Sequence, residues 1–131
     1  MTAQDLPKNI SVLIVEDDYL AASDAEAVLT EAGIDVVGIA GSADEAVRLA
    51  KSSRPNLVLM DIRLIGSRDG VDAAIELFRD HGIRSVFATA HHDPHVRSRA
   101  QPAAPLGWLA KPYTTNALIA VVRSAAAELK K

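Results

Sequence analysis

The sequence predicts an α/β protein in which a parallel five-stranded sheet is covered by helices on both faces. Five short apolar segments alternate with five segments of helical periodicity, which is the order typical of parallel sheets. Right-handed crossovers between such strands place helices on both sides of the sheet, so the fold is doubly wound. The chain has 131 residues, of which 49% are hydrophobic, and this suits one domain with a buried core.

Each element follows from periodicity and from the residues that begin or end it. The predicted strands are residues 10–15, 35–40, 57–61, 85–89 and 108–110. The predicted helices are residues 19–32, 43–52, 71–81, 94–101 and 114–129. Gly33 ends the first helix, and Ser42 begins the second, with Glu45 completing a capping box. Pro102 and Pro105 limit the fourth helix, which we predict to be short and irregular.

Composition excludes several classes of protein. The formal net charge is −3, whereas a nucleic-acid module normally presents a basic face. The absence of cysteine excludes disulfides, thiolate metal sites and a cysteine nucleophile. No apolar run reaches the length that spans a membrane, and the N-terminus lacks a signal core. We therefore expect a cytoplasmic protein with a flexible lead at residues 1–9 and one domain at residues 10–131.

Charged residues follow three of the predicted strands. Glu16 and Asp17 follow the first strand, Asp61 ends the third, and Lys111 follows the fifth. The carboxyl ends of parallel strands meet at one edge of the sheet, where sites in such folds lie. Clustered carboxylates need a cation, and Mg²⁺ prefers such oxygen ligands. Acids, a hard metal and a lysine around one carboxylate indicate phosphoryl transfer to Asp61.

Four motifs together resemble the receiver domains of two-component response regulators. They are Leu-Ile-Val-Glu16-Asp17-Asp18, Leu-Met-Asp61, Ala88-Thr89-Ala90 and Ala110-Lys111-Pro112. Each is weak alone, but all four occur in order and each at a strand end. The resemblance covers essentially the whole chain and implies the flavodoxin-like (βα)5 fold with strand order 2-1-3-4-5. It also implies a stand-alone receiver, because the last predicted helix runs almost to the final residue.

The resemblance assigns roles to the residues of the site. Asp61 would accept a phosphoryl group from a phosphohistidine of a sensor histidine kinase. Mg²⁺ would bind Asp17, Asp61 and the backbone carbonyl of Arg63 directly, and Glu16 through water. The other implied roles are contact with the phosphoryl oxygens by Lys111 and Thr89, capping of the first helix by Asp18, a cis peptide bond before Pro112, and a switch formed by Thr89 and Trp108.

The chain departs from the common receiver pattern at several positions. Ile65 stands where a proline usually follows the phosphoacceptor, in a loop about one residue longer than usual, so partner choice is expected to differ. Phe87-Ala88-Thr89-Ala90 resembles the Phe-Ala-Thr-Gly motif of a receiver subgroup, with Ala90 in place of glycine. His91 lies where similar proteins tune phosphoryl hydrolysis. Trp108 replaces the usual tyrosine or phenylalanine, which leaves plain packing as an alternative to switching.

Other functions remain as alternatives. An aspartyl-nucleophile phosphatase of the haloacid dehalogenase type needs a second aspartate two residues after the nucleophile, where this chain has Arg63. A phosphorylation-independent adaptor is disfavoured by the complete set of acids, threonine and lysine. We expect no enzyme activity beyond the protein's own phosphorylation and dephosphorylation. Output would pass to a protein effector or phosphotransfer protein, or the domain would act as a phosphate sink; a homodimer is left open.

Overall fold

The computed structural model describes residues 10–131, and these form the predicted α/β fold. The predicted lead at residues 1–9 lies outside the described residues. The strands are β1 (Ser11–Val15), β2 (Asp35–Ala40), β3 (Leu57–Asp61), β4 (Arg84–Thr89) and β5 (Gly107–Ala110). The helices are α1 (Tyr19–Glu31), α2 (Ala43–Ser53), α3 (Gly70–His81), α4 (Pro94–Ala100) and α5 (Thr115–Leu129).

All neighbouring strands are parallel, and their order is β2-β1-β3-β4-β5, which confirms the flavodoxin-like topology. One apolar layer packs α1 and α5 against the sheet. The other layer packs α2, α3 and the end of α4 against the opposite face. Successive residues of a strand point to opposite faces, so Leu13 and Val15 join one layer while Val12 and Ile14 join the other. The buried strands hold the carboxyl edge of the sheet in place.

Capping residues determine where the helices begin. Asp18 caps α1 as predicted, because its side chain accepts hydrogen bonds from the backbone N–H groups of Leu20 and Ala21. The Ser42 hydroxyl likewise accepts from the backbone N–H of Glu45 at 3.1 Å. The return bond of this predicted capping box is shifted by one residue, since the Glu45 carboxylate accepts from Gly41 rather than from the cap itself. These bonds satisfy N–H groups that have no partner within the helix.

Each of the five helices differs from its predicted bounds by one residue at one end. Helix α3 begins at Gly70, one residue early, because Asp69 and Asp72 form a reciprocal capping box around its first turn. Helix α4 has seven residues and continues into a 3₁₀ helix, Gln101–Ala103, which agrees with the short, irregular helix predicted there. Among residues 10–131, none of the helices combines the length and apolar character that crossing a bilayer requires.

Candidate functional site

The predicted site residues meet at the carboxyl edge of the sheet. Asp61 ends β3 and Thr89 ends β4, and each is held in register by its neighbouring strand. Glu16 follows β1, and its backbone N–H donates to the carbonyl of Ala40 at 2.9 Å. The Lys111 N–H donates to the carbonyl of Thr89 at 2.8 Å. Strand pairing therefore brings together side chains that are far apart in the sequence.

Lys111 lies between two carboxylates. Its Nζ is 2.7 Å from Oε1 of Glu16 and 3.3 Å from Oδ2 of Asp61. Lys111 therefore pairs with Asp61, but it lies closer to Glu16. The second oxygen of Glu16 accepts the backbone N–H of Asp18 at 3.1 Å, which orients the carboxylate toward the lysine. One cation thus serves two acids in a partly buried site.

The three carboxylates have unequal affinities for protons. Burial raises the pKa of Asp61 to about 6, and a hydrogen bond shared with Glu16 adds to this effect, while Lys111 opposes it. Burial also acts on Glu16, but the bonds from Lys111 and from Asp18 outweigh it and lower the pKa of Glu16. Burial and the neighbouring Glu16 raise the pKa of Asp17. The pKa of Asp61 thus stays raised although Lys111 lies 3.3 Å from its carboxylate.

The acid cluster fits a hard divalent cation. One oxygen from each of Glu16, Asp17 and Asp61 lies within 4.8 Å of the other two, an arrangement that suits oxygen-ligated Mg²⁺. Burial raises the pKa values of Asp17 and Asp61, repulsion from Glu16 adds to the effect, and a bound cation would relieve that repulsion. Arg63, predicted to contribute its backbone carbonyl, lines the same cavity. Direct ligation by that carbonyl stays a prediction.

An open cavity of about 870 Å³ surrounds the acids. Its lining includes Asp61, Thr89, His91 and Lys111, so a phosphoryl group can approach the Asp61 carboxylate from solvent. The Lys111–Pro112 peptide bond at its edge is cis, as the resemblance implied. The Thr89 hydroxyl donates to the backbone carbonyl of His91 at 3.0 Å and accepts the His91 N–H at 3.2 Å. To bind a phosphoryl oxygen, that hydroxyl has to release the His91 carbonyl.

Trp108 lies beside Phe87 on the face of the sheet that α4 covers. The two rings stack with centroids 4.9 Å apart and an interplanar angle of 29°. The Arg97 guanidinium of α4 lies 4.5 Å above the Trp108 ring, so a cation–π contact closes the other side. This arginine was not predicted as a site residue. Its position links α4 to β5, so a movement of Trp108 would have to break this contact or carry Arg97 with it.

The described chain matches the family model of the response regulator receiver domain over residues 12–123. The chain belongs to the response regulator receiver family. This receiver domain is 36% identical over 120 residues to the transcriptional regulatory protein PdtaR of Mycobacterium tuberculosis, covering 92% of this chain and 58% of that protein. It is 35% identical to the phyllosphere-induced regulator PhyR of Methylorubrum extorquens, covering 87% of this chain and 42% of that protein.

Solved structures agree with this assignment. The signal receiver domain of a modulated diguanylate cyclase from Desulfovibrio desulfuricans has a TM-score of 0.86 and 36% identity to this receiver domain. That comparison covers 94% of this chain and 98% of the other. The chain spans about half the length of the curated relatives named above. The comparisons therefore identify the domain, and they place the chain in two-component signalling.

Proposed function

We propose that Asp61 accepts a phosphoryl group from a phosphohistidine of a sensor histidine kinase. An oxygen of the ionised Asp61 carboxylate attacks phosphorus, a P–O bond forms, and the P–N bond to the donor imidazole breaks. The imidazole leaves with the electron pair of the P–N bond; it is neutral when its other ring nitrogen already carries a proton, and otherwise it takes a proton from water. The observation that carries this proposal is the convergence of Asp61, two further acids and Lys111 in one open cavity.

Glu16, Asp17, Asp61 and the Arg63 carbonyl are the groups that we propose for holding Mg²⁺. When bound, the ion would supply positive charge that reduces the repulsion between the acids and an incoming phosphoryl group. Lys111 contributes a second positive charge, aimed at the phosphoryl oxygens. Its ion pair with Glu16 keeps the ammonium 3.3 Å from Asp61 in the resting domain, so little movement is needed.

Thr89 and Trp108 are the residues that we propose to carry the change to the surface between β4 and α5. Exchange of the Thr89 hydroxyl from the His91 carbonyl to a phosphoryl oxygen would release the loop before α4. Helix α4 contributes a single fully buried residue, Ala100, so its position depends on few contacts. A protein effector that recognises this surface, or a second phosphotransfer protein that drains the phosphoryl group, would provide the output in the cytoplasm.

Intact-mass measurement after incubation with acetyl phosphate and Mg²⁺ tests this proposal. The wild type should gain one phosphoryl group, and Asp61→Asn should gain none. Asp24→Asn is a matched control, because Asp24 is an exposed acid that lines the same cavity outside the three-acid cluster. Omission of Mg²⁺ should greatly reduce labelling of the wild type. Equal labelling of Asp61→Asn would refute the assignment of the phosphoacceptor.

Two alternatives predict other results. A phosphorylation-independent adaptor would show no labelling by acetyl phosphate and no binding of beryllofluoride, a phosphoryl mimic. A phosphatase would turn over p-nitrophenyl phosphate, whereas we propose that the domain catalyses only its own phosphorylation and dephosphorylation. The retained acids, Thr89 and Lys111 support the receiver chemistry over both alternatives.

A further inference from the structure

Gly70 lies directly against the backbone of the phosphoacceptor. A Cβ atom at this position would overlap the carbonyl oxygen of Asp61 and lie 2.8 Å from its carbonyl carbon. The same atom would lie 3.0 Å from the Cα of Ile62. The Gly70 N–H also donates to the Ile62 carbonyl at 2.8 Å. Glycine is required here by close approach, so the first turn of α3 and the end of β3 are in direct backbone contact.

A reciprocal set of bonds fixes that first turn. The Asp69 carboxylate accepts the backbone N–H of Asp72, and the Asp72 carboxylate accepts the backbone N–H of Asp69, both at 3.0 Å. Each side chain has oxygens that remain available to a cation. The capping box thus joins the start of α3 to a pair of acids facing outward from the turn.

Arg99 of α4 binds both of these acids. Its Nη2 forms an ion pair with Asp69, and its Nη1 lies 3.4 Å from oxygens of Asp69 and Asp72. The pairing lowers the pKa of Asp69 against the opposing effect of burial. The neighbouring Arg97 instead contacts Trp108. In addition to the packing of Ala100 in the core, these arginines join α4 to β5 and to the turn that contacts Asp61.

We propose that Arg99, Asp69 and Gly70 are positioning residues that couple the phosphoacceptor to α4. A displacement of α4 would pull on the α3 cap through Arg99, and the close fit of Gly70 would transmit it to the Asp61 backbone. The reverse holds by thermodynamic linkage, so a group bound at Asp61 biases α4 by the same route. This connection is separate from the one through Thr89 and His91, and its signalling role rests on the proposed function.

The first experiment uses the unmodified domain and needs no phosphoryl chemistry. Amide hydrogen exchange by NMR reports on the Gly70 N–H, which bonds to Ile62, and on residues 94–103. Arg99→Ala should speed exchange at both places by about two- to fivefold, the range expected for loss of a surface ion pair. Arg99→Lys keeps the positive charge but loses the planar guanidinium that contacts both acids, so it should have an intermediate effect. Faster exchange in α4 with no change at Gly70 would overturn the proposed coupling.

Arg79→Ala is the matched control. Arg79 lies at the other end of α3 and pairs with the adjacent Asp80 at 2.9 Å, so its removal deletes a similar ion pair without involving α4. This variant should leave exchange at Gly70 unchanged. A change at Gly70 equal to that in Arg99→Ala would mean that any ion pair on α3 affects the turn, and the proposal would fail.

The second experiment adds beryllofluoride and Mg²⁺. In the wild type and in Arg79→Ala, binding at Asp61 should alter exchange across residues 94–103, and in Arg99→Ala that response should fall by about half or more. An undiminished response in Arg99→Ala would overturn the signalling role. If the wild type binds no beryllofluoride, the proposed function fails, and the exchange of Gly70 in the unmodified domain still decides whether the coupling exists.

Discussion

Replacement of Asp61 by asparagine should stabilise the metal-free domain at neutral pH. Burial and Glu16 raise the pKa of Asp61 from 3.8 to about 6, so the folded domain holds this proton more tightly than the unfolded chain does. Between these two pH values the folded state binds more protons, and its stability falls as pH rises. The difference corresponds to about 3 kcal/mol at about 1.4 kcal/mol per pKa unit.

Asparagine cannot ionise, so Asp61→Asn avoids this cost while keeping the shape of the side chain. The variant loses the Asp61–Lys111 contact, but Lys111 keeps its closer partner Glu16. We therefore expect a net gain of about 1–3 kcal/mol at pH 7.5. Well below pH 3.8 the carboxyl is protonated in both states, so the advantage of the variant that comes from ionisation should shrink toward zero as the pH falls.

Urea unfolding in EDTA at pH 7.5, 5.5 and 4.0 measures this difference directly. Titrations of groups outside the site largely cancel between the two proteins, because only Asp61 differs. Asp24→Asn should change stability by less than about 0.5 kcal/mol at each pH. The reasoning is refuted if Asp61→Asn is less stable than the wild type at pH 7.5, or if its advantage is the same at all three pH values. Added Mg²⁺ should reverse the order by stabilising the wild type.

Three further variants test contacts of the site. Lys111→Met leaves Glu16 and Asp61 without their shared cation. Urea unfolding should show a loss in the free energy of unfolding of about 2 kcal/mol at pH 7.5 and a smaller loss at pH 5. Equal losses at both pH values would contradict this. Glu16→Asp shortens the acid that holds the lysine, so NMR titration should find the pKa of Asp61 below 6; an unchanged value would exclude competition for the lysine. Arg97→Ala uncovers Trp108, so its emission should shift to the red with a loss of about 0.5–1 kcal/mol; an unshifted spectrum would argue against the cation–π contact.

The fold and the site edge were predictable because they depend on short-range patterns. Buried strands appear as continuous apolar runs, and in a parallel sheet their carboxyl ends share one edge. The positions of Glu16, Asp17, Asp61 and Lys111 at that edge follow from this alone. The cap of α3 is also predictable in principle, since Asp69 and Asp72 have the spacing of a capping box. The two glycines of the same loop, however, favour a flexible segment over a helix start at that point.

The contacts of α4 could not be predicted from the sequence. Arg99 and Asp69 are 30 residues apart, and Arg97 reaches a ring on β5. Both contacts depend on how a seven-residue helix with one buried side chain lies on the sheet, and no periodicity in so short a segment defines its orientation. The preference of Lys111 for Glu16 over Asp61 likewise depends on distances that differ by less than 1 Å.

Burial raises the pKa of Asp61, and the position of Lys111 explains why the nearby lysine does not bring it back to its ordinary value. Glutamate at position 16 has one methylene more than aspartate, and its carboxylate, oriented by the Asp18 amide, holds the lysine at 2.7 Å. Asp61 receives only the weaker share of that charge, and its pKa stays high. A cation bound by the three acids would favour the ionised form of Asp61 and weaken the attraction between Glu16 and the lysine. Metal binding would thus prepare both the proposed phosphoacceptor and the lysine that we propose to contact the phosphoryl oxygens.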